Sequence, residues 1–212
     1  MFNLAEDSYP QGQSFNEPWP FWIVDDFLKP HNIQTLKNFK DVEQFNLVDK
    51  SDGRRVVTLN APYNKYDIKI RPNKHPKAYV QLKDNAVKSL TKVISFEELK
   101  KLTFVFDLVY CEPKYTYHKH SDHPDKLYSI VVYLGPEDGD GTILFDQDDK
   151  QYNVVWKPNR AFIFKSNPHG YHFYTNTKNV NRYTLNLYLT DGPINFGVTS
   201  KGKEEHDLSK YR

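Results

Sequence analysis

The chain has a single cysteine, Cys111, among its 212 residues. One cysteine excludes an internal disulfide and fits a reducing cytoplasm, which is the expected location. Long apolar runs are also missing. None approaches the ~20 residues that a membrane span needs, so no membrane partner is expected. The opening MFNLAEDSYPQGQ has no basic stretch followed by an apolar one, so no secretory signal is expected. Charge of one sign is lacking too. Lys and Arg total 29 against 27 Asp and Glu, a net of +2. No strong field steers such a chain to a membrane or to nucleic acid. A local basic patch at Lys65, Lys69, Arg71, Lys74 and Lys77 is the one argument for nucleic acid, which is not the expected partner. Internal repeats and low-complexity tracts are absent.

Aromatic residues are plentiful, with 15 Tyr and 14 Phe. They suit pleated surfaces better than helices. Residues 1–18 are polar and contain Pro10, Gly12 and Pro18, which reads as a loosely held arm. Phe21 to Val24 is a short β-rich run. Pro30 suits a first helical turn, and Ile33, Leu36 and Phe39 predict a helix over 31–44. Residues 49–76 form a long excursion rich in Pro and Asn, with strand candidates at Arg55–Leu59 and Tyr66–Ile70; such loops often carry substrate contacts. Tyr79, Leu82, Ala86, Leu90 and Val93 recur at spacings of three and four, which predicts a helix over 77–94. A shorter helical turn is expected over 95–101.

From residue 104 the period becomes two. The expected strands are Phe104–Cys111, Tyr115–His120, Tyr128–Leu134, Thr142–Phe145, Tyr152–Trp156, Ala161–Lys165, Gly170–Thr175 and Arg182–Thr190. Eight short strands with turn punctuation predict a double-sheet jelly roll or barrel. The expected class is α+β, mainly β, with the N-terminal helices packed on one sheet. One domain is expected over 19–191, with helical support and loop over 30–102, core strands over 104–190 and a polar tail over 192–212.

His120-Ser121-Asp122 is an H-x-D pair, His172 follows about fifty residues later, and Arg182 comes ten residues after that. Two His and one carboxylate on one face of a metal are the ligands of non-haem Fe(II) oxygenases. His118-x-His120 serves a zinc or manganese site equally well on spacing alone. His169 is the alternative to His172. His172 is preferred because it sits in the strand-like run Gly170–Tyr174, which holds a ligand better than a turn. His123, beside Pro124, reads as a solvated loop residue.

At these residues the chain resembles the 2-oxoglutarate- and Fe(II)-dependent dioxygenases, and in particular their prolyl 4-hydroxylase-like branch. Tyr110 and Tyr117 stand ten and three residues before His120, as in that branch. Ile130-Val131-Val132-Tyr133-Leu134, the Gly139–Phe145 turn and strand, and Arg160-Ala161-Phe162-Ile163-Phe164 are similar to its later elements, and His172 lies eight residues after Phe164. Arg182-Tyr183-Thr184 and the run Pro20 to Leu28 match as well. Glu112-Pro113-Lys114 departs from the glycine often found before the H-x-D strand.

The resemblance implies a double-stranded β-helix holding Fe(II) by His120, Asp122 and His172. It implies 2-oxoglutarate as cosubstrate, O₂ as oxidant, and hydroxylation of an unactivated C–H with release of succinate and CO₂. Arg182 offers a planar fork for the far carboxylate of 2-oxoglutarate. Tyr133 and Thr184 are expected to donate hydroxyls to that carboxylate. Tyr110 is expected at the metal-proximal end, and Tyr117 in the cavity lining. The expected substrate is a prolyl residue of a peptide or protein. The alternatives are a free amino acid or small metabolite, or a cupin-like barrel that binds metal or ligand without oxygenase activity.

Overall fold

Alternation along Thr103–Cys111 sends Phe104, Phe106 and Leu108 to one face and Asp107 and Val109 to the other. That division is repeated across the molecule and separates an apolar core from a cavity. The structure, a computed structural model, describes residues 1–4, 7–37, 54–59 and 76–191.

The elements in chain order are β1 (Phe2–Leu4), β2 (Gln13–Phe15), β3 (Phe21–Val24), α1 (Pro30–Lys37), β4 (Arg54–Thr58), α2 (Pro76–Leu90), α3 (Phe96–Leu99), β5 (Thr103–Cys111), β6 (Thr116–His120), β7 (Tyr128–Gly135), β8 (Thr142–Phe145), β9 (Gln151–Val154), β10 (Ala161–Lys165), β11 (His172–Thr175) and β12 (Arg182–Thr190). One sheet has the order β1-β9-β8-β11-β6 and the other β2-β3-β10-β7-β12-β5-β4. The two make the expected jelly roll, a double-stranded β-helix.

The outer face of the larger sheet carries the helices. Leu82, Ala86 and Leu90 of α2 share one helical stripe and are buried. They join Leu36 of α1, Phe104 and Phe106 of β5, Ile130 and Val132 of β7, and Leu185 and Leu187 of β12 in one apolar cluster. Ser95 caps α3 by accepting the Glu98 N–H at 3.2 Å. A second cluster fills one end between the sheets, with Trp19, Phe21, Phe162 and Phe164 stacked edge and face.

The first 18 residues are not a loose arm. Phe2–Leu4 pairs parallel to β9, and Gln13–Phe15 pairs with β3. Asp25, 1% exposed, anchors the segment between them. It accepts from the Tyr9 N–H at 2.8 Å, Lys157 Nζ at 3.0 Å and Arg160 Nε at 2.7 Å. Arg160 Nη2 in turn donates to the Asp7 carbonyl at 2.6 Å. The expected helix over 31–44 is seen as far as Lys37, and the rest lies outside the described residues. So do the candidate strand Tyr66–Ile70, most of the 49–76 excursion and the 192–212 tail.

Lys114 has φ 65°, the left-handed conformation that glycine takes without strain. This is the turn where the sequence has Glu112-Pro113-Lys114. Asn159, at φ 64°, closes the turn before β10. Its amide grips Leu28 twice, accepting from the N–H and donating to the carbonyl, both at 2.8 Å.

Candidate functional site

His172 and His120 are direct cross-strand partners in the β11–β6 pair. Their rings lie 4.4 Å apart between centroids. Asp122 follows just beyond the end of β6. Potential ligand atoms of His120, Asp122 and His172 all lie within 4.8 Å of one another, and no other such cluster occurs among the described residues. His169 is exposed on its turn and stays outside the group.

Each histidine is oriented by a carbonyl two residues back. His120 Nδ1 is 2.9 Å from the His118 carbonyl, and His172 Nδ1 is 3.0 Å from that of Gly170. A carbonyl only accepts, so both Nδ1 atoms carry the proton and both Nε2 atoms keep a lone pair for a metal. Burial and then the neighbouring His172 hold His120 down at about 3. His172 is lowered mainly by burial. Both rings are therefore neutral near neutral pH, as ligation requires.

Asp122 is held from both sides. Lys126 Nζ donates to Oδ1 at 2.9 Å, and Ser129 Oγ donates to Oδ2. Burial alone would raise its pKa, but Lys126, His172 and Ser129 outweigh it and keep the group ionised. Each carboxylate oxygen retains a further lone pair. Lys126 also lies 3.9 Å from the Tyr188 ring centroid. Neither Lys126 nor Ser129 was singled out from sequence. An i,i+4 spacing from Asp122 to Lys126 was the available signal.

These groups border a cavity of about 750 Å³. Alternate residues of β12 line it: Arg182, Thr184, Asn186 and Tyr188. Arg182 is 1% exposed, and its guanidinium lies 4.2 Å from the Tyr174 ring centroid and 5.2 Å from that of Trp156. Its Nε donates weakly to the Asp140 carbonyl at 3.4 Å, while Nη2 is buried with no hydrogen-bond partner. A buried charged donor left unpaired is costly unless a ligand completes it. The donor set therefore fits both implied groups: a facial metal triad, and a carboxylate whose far end meets Arg182.

Thr184 and Tyr117 line the cavity, and Tyr117 stacks on Tyr174 with centroids 5.6 Å apart. Two expectations are corrected. Tyr110 faces the opposite side of β5, edge-on to Tyr183 at 5.2 Å and against the helix-side core. Alternation gives the inward position to Cys111, whose Sγ lies 3.1 Å from the Tyr174 hydroxyl. Tyr133 is fully buried behind the wall, where its hydroxyl donates to Thr142 Oγ1 at 2.9 Å and accepts from the Thr142 N–H at 3.1 Å. Thr142, not Tyr133, borders the cavity. His123, read as a solvated loop residue, also borders it.

Residues 106–190 match the family model of the 2OG-Fe(II) oxygenase superfamily. No curated protein matches the chain in sequence. Among solved structures, a Trichoplax adhaerens prolyl hydroxylase, in complex with a hypoxia inducible factor oxygen degradation domain peptide fragment, superposes with a TM-score of 0.60 at 14% identity, over 81% of this chain and 83% of that one. A Pseudomonas putida prolyl-4-hydroxylase gives 0.56 at 16%, over 80% and 91%. The collagen prolyl hydroxylase of Paramecium Bursaria Chlorella virus-1, as its 2OG complex, gives 0.55 at 16%, over 80% and 94%. At such identities these likenesses speak for the fold.

Proposed function

We propose that this chain, whose residues 106–190 are a 2-oxoglutarate- and Fe(II)-dependent dioxygenase domain, hydroxylates a prolyl residue of a peptide or protein. The family uses Fe(II), 2-oxoglutarate and O₂. When bound, these supply oxidative decarboxylation of the cosubstrate to succinate and insertion of an oxygen atom into an unactivated C–H bond. The residues do the rest. His120 and His172 would hold the metal through Nε2, and Asp122 would hold it through a carboxylate whose direction Lys126 and Ser129 fix. Arg182 receives the far carboxylate bidentately, assisted by the Thr184 hydroxyl. Tyr174 and Trp156 keep water from the flat faces of the guanidinium, which strengthens that contact. No membrane-crossing helix occurs among the described residues.

One observation carries this reading: His120, Asp122 and His172, which could hold a metal, line the same cavity as buried Arg182, whose Nη2 has no hydrogen-bond partner. A metal-binding barrel without a cosubstrate has no use for such a clamp. The test is anaerobic titration of the Fe(II)-loaded protein with 2-oxoglutarate, following the weak visible band of a chelated 2-oxoacid. The band is expected in the wild type and in His169→Ala, and its loss is expected in His172→Ala. A wild type that binds metal without giving the band points to the non-oxygenase barrel. Prolyl peptides are then assayed for succinate release.

A further inference from the structure

Asp122 has more support than its orientation needs. Ser129 Oγ donates to Oδ2 and steers the carboxylate without adding charge. Lys126 Nζ donates to Oδ1 at 2.9 Å and brings a full positive charge to a group that would also hold a divalent ion. The ion pair is enclosed, with the Lys126 side chain 13% exposed and that of Asp122 8%. Water therefore screens the charge poorly.

The fold holds the ammonium in place. Ser129 of β7 and Tyr188 of β12 are register partners. One grips the carboxylate, and the other sets its ring centroid 3.9 Å from Nζ. A cation over a tyrosine face is favoured most where water is excluded. Residues 122–126 are not helical, so this is not the solvated i,i+4 pair of a helix surface. Lys126, Ser129 and Tyr188 all line the cavity that Arg182 lines.

This one charge has two consequences of opposite sign. It repels a divalent ion, which must share Asp122 with a cation. It attracts an anion that binds on that ion, because the anion and Asp122 then meet at one centre. A neutral donor such as Ser129 does neither.

We propose that Lys126 is a positioning residue that exchanges metal affinity for cosubstrate affinity. Through Asp122 it loosens the hold of the triad on a bare divalent ion and tightens the hold of the loaded site on 2-oxoglutarate. This rests on the oxygenase reading above and adds to it how the site is loaded.

Three variants separate charge from hydrogen bonding. Lys126→Met removes the charge and keeps an apolar stem. Lys126→Gln keeps a donor for Oδ1 without the charge. Lys126→Arg keeps the charge. Mn(II) binding to the full chain is followed by the loss of the free-ion magnetic resonance signal, and 2-oxoglutarate binding to the Mn(II)-saturated chain by calorimetry. The two neutral variants are expected to bind Mn(II) about tenfold more tightly or better, and 2-oxoglutarate about fivefold or more weakly. Lys126→Arg should stay within about threefold of the wild type for both ligands. A lysine that merely orients Asp122 would, once removed, weaken both ligands together. Shifts of the same sign, a shift for one ligand alone, unchanged affinities, or neutral variants that fail to fold in saturating Mn(II) overturn the proposal. The visible band of the wild type with Fe(II) and 2-oxoglutarate is scored separately, so failure of the oxygenase reading is seen on its own.

Discussion

Arg182 shows how much a single side chain can imply. It is fully enclosed, flanked by aromatic faces, and carries one donor without a partner. Lysine in its place keeps the charge but loses the planar fork. Arg182→Lys is expected to weaken 2-oxoglutarate binding by about 2 kcal/mol, some thirtyfold. Mn(II) binding, followed by the loss of the free-ion magnetic resonance signal, should stay within about threefold, because the triad holds the metal without Arg182. Equal loss of both would make Arg182 a support of the metal site. Asp122 makes the complementary point. Its carboxylate would be costly to bury alone, and Lys126 and Ser129 offset that cost while fixing its direction.

At the scale of elements, the site is a product of strand register. His120 and His172 become neighbours because β6 and β11 pair at those two residues. Gly141 protects that arrangement from the far side. A Cβ there would stand 1.8 Å from the Val154 carbonyl oxygen and 2.9 Å from Asn153 Oδ1. The obstruction is backbone, which cannot step aside. Gly141→Ala is therefore expected to part the start of β8 from β9 and to cost about 2 kcal/mol or more in urea unfolding. Thr142 moves with it, so 2-oxoglutarate binding should weaken as well. Unchanged stability would mean that β9 yields without loss of pairing. The strand ends carry a similar lesson. β9 stops at Val154, two residues before the expected end, and Trp156 instead stacks on Tyr133 at 4.5 Å and donates to the Pro136 carbonyl at 2.9 Å.

Over the whole molecule, the N-terminal segment is tied to the barrel by Asp25. Burial opposes the charge of Asp25, but Arg160, the Tyr9 N–H and Lys157 prevail and lower its pKa from 3.8 to about 2. A carboxyl lowered on folding stabilises the protein fully above its ordinary pKa, and loses that contribution as the pH falls through the folded value. The loss belongs to the window from 3.8 down to about 2 and amounts to about 2 kcal/mol. Asp25→Asn is expected to be less stable at neutral pH, because buried Arg160 loses its counter-charge. Its stability should also vary less across that acid window. Parallel urea unfolding curves between pH 2 and pH 5 check both. If wild type and variant lose stability equally on acidification, another carboxylate is responsible.

The sequence by itself determined the strands from residue 104 onward, the turns between them and the candidate residues His120, Asp122, His172 and Arg182. These depend on local features: alternation of side chains, turn-forming residues, and ligand types at short spacings. The face each strand shows to the cavity depended on the tertiary structure. Tyr110 and Cys111 are adjacent in sequence, and only the pairing of β5 with β12 and β4 turns Tyr110 toward the helices and Cys111 inward. The same pairing brings Arg54 and Arg182, 128 residues apart in the chain, to either side of one cysteine. Lys126 on Asp122 and the strands formed by the first 18 residues were likewise decided there. A contact across a sheet is set by register, and register is a property of two strands together, which neither strand's residues carry alone.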